Sequence, residues 1–73
     1  MPIEKLKSLA EAEPFMPFAI IKPNGQELQI PHPDFISFSP VDKRTVVIHL
    51  ANGGLEVLNI GMIVSVRFEN AAA

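Results

Sequence analysis

The fold is decided by residues 45–60, which read TVVIHLANGGLEVLNI. Residues 45–50 are rich in β-branched side chains and alternate in the manner of a strand. Residues 51–54 place Asn beside two Gly residues, the chemistry of a tight hairpin turn. Residues 55–60 then resume an apolar strand pattern. This stretch predicts an antiparallel hairpin with strands at about 45–50 and 55–60.

Outward from this hairpin, the chain continues as short strands joined by turn residues. Ile3, Leu6 and Leu9 recur at helical spacing, which predicts a helix over about 2–12 that ends before Pro14. Strands are predicted at about 18–22, 27–30, 35–39 and 62–68 as well, with Asn24-Gly25 in the first hairpin turn. The short connections predict an antiparallel meander. The expected fold is mainly β: one domain over residues 1–73, with a short N-terminal helix and a five- to six-stranded small barrel or strongly curved sheet.

The last three predicted strands are apolar on both faces. In residues 45–50 one face carries Val46, Ile48 and Leu50, yet the other still carries Val47. Residues 55–60 and 62–68 show the same excess, and a strand that is apolar on both faces is covered on both faces. A second subunit is one such cover. The predicted interface residues are Val47, Leu58, Ile60, Met62, Val64 and Val66.

Size and composition favour a partner for this domain. A chain of 73 residues buries a modest share of its surface, and 48% of its residues are hydrophobic. It has no Cys, and no disulfide, metal or cofactor is expected. The net charge of −2 and the scattered cations make nucleic acid a less favoured partner than a protein. No apolar run resembles a signal peptide or a membrane span, and a cytoplasmic protein is expected.

The triplet His32-Pro33-Asp34 is the most conspicuous polar motif. Its simplest interpretation is a rigid bend with local side-chain hydrogen bonds. A ligand, metal or nucleic-acid site would instead recruit His49 or the ring of Phe35, with His32 and Asp34. His49 lies in an apolar strand without an orienting partner, and the hydroxyl residues show no catalytic arrangement. The sequence therefore predicts no enzyme activity.

Residues 14–20 read PFMPFAI, residues 24–25 read NG and residues 30–35 read IPHPDF. This order resembles a family of short bacterial proteins with no assigned function, and the likeness covers nearly the whole chain. A looser resemblance exists to Sm-like barrels, which also have a short helix and bent strands. Residues 19–30 resemble their first hairpin, Asp34-Phe35 an Asp-aromatic pair after the second strand, and residues 55–68 the last two strands, which join subunits into rings.

The Sm-like resemblance implies a barrel more than an activity. Around residues 59–62 the chain lacks the Arg or Lys-His residues that contact RNA in Sm-like proteins, and a shared fold does not carry function by itself. The sequence predicts a protein-interaction module that acts as a homo-oligomer or an accessory subunit. The alternatives are an Sm-like nucleic-acid-binding protein and a small ligand or metal binder that uses the bend at residues 32–34.

Overall fold

The computed structural model describes residues 1–68 and shows one helix followed by six strands. Helix α1 spans Ile3–Glu11, close to the predicted 2–12. The strands are β1 Phe18–Ile21, β2 Glu27–Ile30, β3 Ile36–Phe38, β4 Thr45–His49, β5 Leu55–Asn59 and β6 Ser65–Phe68. Short 3₁₀ turns at Pro33–Phe35 and Ile60–Met62 precede β3 and follow β5. A mainly β fold with an N-terminal helix is confirmed.

The strands form two antiparallel three-stranded sheets, in the orders β2–β1–β6 and β3–β4–β5. Sequential strands pair in the β1–β2, β3–β4 and β4–β5 hairpins. Sequential pairing fails between β2 and β3, which lie in different sheets, and between β5 and β6, because β6 returns to β1 and places Val66 opposite Ile20. No ladder of hydrogen bonds joins the two sheets into a closed barrel within residues 1–68. The expected meander is therefore wrong at two steps, from β2 to β3 and from β5 to β6.

One core lies between the two sheets and the helix. The largest side chains in it are completely buried: Leu6 from α1, Phe18 and Ile20 from β1, Ile30 from β2, and Val46 and Ile48 from β4. Helix α1 and every strand except β6 contribute a buried apolar residue, since Ile36 and Leu58 come from β3 and β5. Helix α1, with nine residues, is too short to be stable alone and depends on this contact.

Two of the three hairpin turns use glycine at a backbone conformation that other residues rarely adopt. Gly25 has a φ of 86° between β1 and β2, and Gly53 has a φ of 90° between β4 and β5. In each turn the amide of the glycine donates to the carbonyl three residues earlier, at 2.9 Å to Lys22 and 3.0 Å to Leu50. These bonds fix the register of the flanking strands.

The predicted strand 62–68 is shortened to Ser65–Phe68. The side-chain Oδ1 of Asn59 accepts from the Gly61 amide at 2.8 Å, and the Ile63 amide donates to the Ile60 carbonyl at 3.3 Å. These bonds hold a 3₁₀ turn where an extended chain was expected. Alternation therefore breaks before Val64, and Ile63 becomes part of the core at 3% exposure.

Candidate functional site

The outer face of the β3–β4–β5 sheet is the main candidate interaction surface. Residues that oppose each other in an antiparallel ladder point to the same side, and Val47 lies between Ser37 and Val57. His49 opposes Leu55 in the next row of the same face. We call this surface the uncharged face. Its strand residues are Ser37, Thr45, Val47, His49, Leu55, Val57 and Asn59, without an Asp, Glu, Lys or Arg among them.

Two large apolar side chains protrude from the uncharged face. Leu55 is 62% exposed and Val57 is 65% exposed. Both lie on β5, an edge strand, so neighbours cover them on one side alone. Val47 is half-buried because it lies on the central strand between two others. Three neighbouring apolar side chains thus meet solvent on the part of the sheet face formed by β4 and β5.

The border of the uncharged face is polar. The Nε2 of His49 and the Oγ of Ser37 lie 3.3 Å apart. At the opposite end, the Thr45 hydroxyl donates to the Asp42 carboxylate at 2.8 Å. An apolar centre with a polar border is the usual composition of a protein–protein interface.

The outer face of the other sheet has different chemistry. Glu27 and Gln29 on β2 and Arg67 on β6 flank β1, and the Arg67 guanidinium forms an ion pair with the Glu27 carboxylate. The small side chain of Ala19 lies between them and is completely buried. Charged and amide groups therefore cover this sheet, whereas the uncharged face has no such cover.

The predicted interface residues have separate locations. Val47 lies on the uncharged face, opposite Val57. Met62 and Val64 lie in the segment between β5 and β6 and are 47% and 62% exposed. Ile60 and Val66 are half-buried and pack against the core. Neither is a free surface residue.

Leu58 is wrong as an interface residue. It opposes Val46 in the β4–β5 ladder and points into the core, where it is 5% exposed. Its face follows from the hairpin register, because Leu58 and Val57 are neighbours on opposite sides of the strand. The exposed residues that the sequence prediction missed are Leu55 and Val57. The sequence signal that could have found them is the turn at Gly53. It sets the hairpin register that places Val57 opposite Val47 and Leu55 opposite His49.

The motif at residues 32–34 forms an exposed corner. The ring of His32 stacks on the ring of Phe35, with centroids 6.3 Å apart and planes at 26°. Asp34 is exposed in the 3₁₀ turn. His49 lies on the uncharged face with Ser37 as its neighbour. Within residues 1–68, no three His, Asp or Glu side chains cluster in a way that would hold a metal ion.

Two cavities lie at the surface. One, of about 400 Å³, lies between β2 and the β4–β5 turn, with Gln26, Gln29, Phe35 and Asn52 in its wall. The other, of about 260 Å³, lies between α1 and the turn after β3, where Lys7 and Lys43 flank Phe38. The wall of the first cavity also includes the carboxylate of Glu27, whereas the second combines two cations that are distant in sequence with the carboxylate of Glu4.

Comparison with family models, curated proteins and solved structures finds no significant match to this chain. No helix within residues 1–68 has the length and apolar character needed to cross a membrane. The function of the uncharged face is therefore inferred from its exposed side chains and backbone groups.

Proposed function

We propose that this domain is a non-enzymatic protein-interaction module, acting as a homo-oligomer or as an accessory subunit. The observation that carries the proposal is the uncharged face, where Leu55 and Val57 are more than three-fifths exposed beside Val47. Contiguous apolar surface of this kind marks interaction sites in soluble proteins. None of the strand residues on the uncharged face is Lys, Arg, Asp or Glu.

The energetic reason is the cost of leaving these side chains in water. Complete burial of a Val or Leu side chain stabilises a protein or a complex by about 1.5–3 kcal/mol. In this domain Leu55 and Val57 realise about a third of that burial, since they are 62% and 65% exposed. A partner surface that covers both residues recovers the remainder without desolvating a charge.

The architecture supports a small barrel as the finer description of the fold. Strand β6 returns to β1, and β2 leads through the bend at residues 32–35 into β3, so each sheet continues into the other. We propose that the chain is related to the short bacterial proteins that share its PFxPF, NG and HPxF elements, with an Sm-like barrel as its structural relative. This relation concerns the fold and does not by itself select a partner.

The proposal is tested with Val57→Lys and a matched control, Val41→Lys. Val41 lies in the turn between β3 and β4 and is 91% exposed, so the same substitution there changes charge equally but leaves the uncharged face intact. We expect light scattering to show a multimer for wild type and Val41→Lys, and a smaller species for Val57→Lys. A charge at the centre of an apolar interface is costly because it loses water on assembly.

An accessory subunit is tested with the same variants in quantitative pull-downs. Partner proteins that wild type and Val41→Lys retain equally, and that Val57→Lys loses, support the proposal. A wild-type monomer at high concentration whose retained proteins are the same for all three forms contradicts it.

Nucleic-acid binding is the second candidate, and the cavity between α1 and residues 38–43 favours it. Lys7 and Lys43 lie in its wall with the ring of Phe38, and the carboxylate of Glu4, in the same wall, offsets part of their charge. Phosphates bind clustered cations, and aromatic rings stack on unpaired bases. Lys22 and Arg67 are already engaged with Glu56 and Glu27.

The test of this candidate is the binding of single-stranded RNA and DNA as a function of salt. We expect a loss of affinity with rising salt and a further loss in Lys7→Gln/Lys43→Gln, whose neutral side chains release no counterions. The chain has no Trp or Tyr, so bound nucleic acid would dominate its absorbance near 260 nm. No binding of either nucleic acid at low ionic strength would remove this candidate.

A further inference from the structure

The backbone of β5 presents unpaired hydrogen-bonding groups along its open edge. Two hydrogen bonds at the ends of the β4–β5 ladder determine which of its residue pairs are hydrogen-bonded. The Leu50 amide donates to the Gly54 carbonyl at 2.8 Å, and the Ile60 amide donates to the Arg44 carbonyl at 2.6 Å. Hydrogen-bonded and non-hydrogen-bonded pairs alternate along an antiparallel ladder. The residues whose amides and carbonyls point away from β4 are therefore Leu55, Val57 and Asn59.

No other described strand pairs with that edge, since β5 is terminal in its sheet within residues 1–68. The edge of β3 is shorter, with three residues, and the Ile36 amide already donates to the Pro33 carbonyl. Pro31 follows β2 directly, and a proline cannot donate to a ladder. Strand β5 contains neither Pro nor Lys, the residues that commonly protect an edge.

The exposed side chains and the free backbone groups belong to the same residues. Leu55 and Val57 carry both, so the side chains of a strand that pairs with this edge also pack against one side of these two apolar residues. This coincidence indicates an extended chain as the occupant, because main-chain pairing accounts for the backbone groups that side-chain packing would leave unused.

The outward-facing residues and the charge of Glu56 select the register for two identical edges. A two-fold axis beside Glu56 would place two carboxylates directly opposite each other at about 4.5 Å between Cα atoms, which is repulsive. An axis beside Val57 places each Glu56 opposite Leu58 of the second copy. It also places each of the three residues with outward-pointing backbone groups opposite another such residue. Lys22 pairs with Glu56 within each chain and weakens this repulsion, so the match of all three outward-facing residues is the main reason for the register beside Val57.

We propose that β5 pairs antiparallel with β5 of a second copy of this chain, about a two-fold axis beside Val57. The inference rests on the proposed function and names its partner and contact. The product is one continuous sheet with β5 at its centre, in which Val57 faces Val57 and Leu55 faces Asn59. About six main-chain hydrogen bonds form, two for each of the three facing pairs. Such an isologous contact closes as a dimer.

Single cysteines test the register, because the chain contains no Cys of its own. In the proposed dimer the two copies of residue 57 lie about 5.5 Å apart between Cα atoms, within the range of a disulfide. The two copies of residue 55 are four positions apart along the sheet, about 13 Å. Val57→Cys and Leu55→Cys are therefore matched variants, since both side chains are apolar, exposed and on the same strand.

In a glutathione redox buffer, we expect Val57→Cys to form disulfide dimers at an equilibrium constant at least about tenfold above that of Leu55→Cys. Val41→Cys, in the turn between β3 and β4, gives the level for random collisions. The readout is the dimer fraction on a non-reducing gel, together with light scattering of the reduced proteins.

Two results overturn the inference, and they differ in what they say about the proposed function. If wild type assembles and Val57→Lys dissociates it, but Val57→Cys dimerises no better than Leu55→Cys, the copies associate through the uncharged face without pairing β5. If wild type is a monomer and both cysteine variants match Val41→Cys, self-association itself is wrong.

Discussion

Truncation of two adjacent residues on β5 separates the core from the candidate interface. Leu58 is 5% exposed within the core, whereas Val57 is 65% exposed on the uncharged face. A buried Leu→Ala substitution removes apolar burial and leaves a cavity, at a cost of about 2–5 kcal/mol. We expect Leu58→Ala to lower the free energy of unfolding by about 3 kcal/mol and Val57→Ala by less than about 1 kcal/mol.

The magnitude is large for a domain of this size. At about 0.05–0.15 kcal/mol per residue, a chain of 73 residues is stable by roughly 4–11 kcal/mol. With a urea dependence near 1 kcal/mol per molar, a loss of about 3 kcal/mol moves the unfolding midpoint by about 3 M. Leu58→Ala is thus expected to lie near the limit of folding, whereas Val57→Ala unfolds close to wild type.

The assay is urea unfolding followed by far-ultraviolet circular dichroism, because the chain has no Trp or Tyr for fluorescence. Each protein is measured over a range of concentrations, since association would add an apparent stability that depends on concentration. Equal losses for Leu58→Ala and Val57→Ala, or a larger loss for Val57→Ala, would refute the reasoning. A larger loss for Val57→Ala would mean that β5 is displaced by one residue against β4, which exchanges the two faces.

Two further predictions concern the turn and the ion pairs. Substitution of Gly53, at a φ of 90° with no atom near its Cβ position, by L-alanine is expected to cost about 1–2 kcal/mol by urea unfolding. D-alanine at this position in a synthetic chain is expected to preserve or raise stability, and equal losses for both would contradict a purely conformational cost. A double-mutant cycle with Lys22→Met and Glu56→Gln is expected to give a coupling energy of about 1–2 kcal/mol. The same cycle with Arg67→Met and Glu27→Gln is expected to give less than about 1 kcal/mol. The difference follows from side-chain exposures of 17% and 24% in the first pair against 59% and 33% in the second, and coupling that is larger in the second pair would be inconsistent with it.

The features predictable from the sequence are those set by neighbouring residues. The Asn24-Gly25 pair predicts a turn because Gly25 readily adopts positive φ, and the structure places it at 86°. The alternation in residues 45–49 predicts β4 within one residue, since β-branched side chains favour extended backbone. The helix is equally local, with its apolar stripe and Pro14 defining its extent.

The pairing of strands that are distant in sequence is not determined by adjacent residues. The sequence prediction failed for the features that depend on such pairing. Leu55 and Val57 on one face and Leu58 on the other are equally apolar, so the pattern does not say which side is buried. The contact with Val46 decides it. Likewise, the hydrogen bond from Gly61 to the Asn59 side chain breaks the alternation and moves Ile63 into the core. The predicted interface set therefore included Val47 of the uncharged face but not its two exposed apolar members, Leu55 and Val57.

The return of β6 to β1 has a consequence for how the chain is made. Strand β1 lies at the centre of its sheet, yet one of its two neighbours, Ser65–Phe68, is the last strand of the described chain to be synthesised. Because contacts between distant segments form slowly, we expect the β3–β4–β5 sheet to form before β1 acquires its second neighbour. Until β6 is synthesised, one edge of the apolar strand Phe18–Ile21 has no strand paired with it. During this period we expect the nascent chain to be most prone to aggregation or chaperone binding.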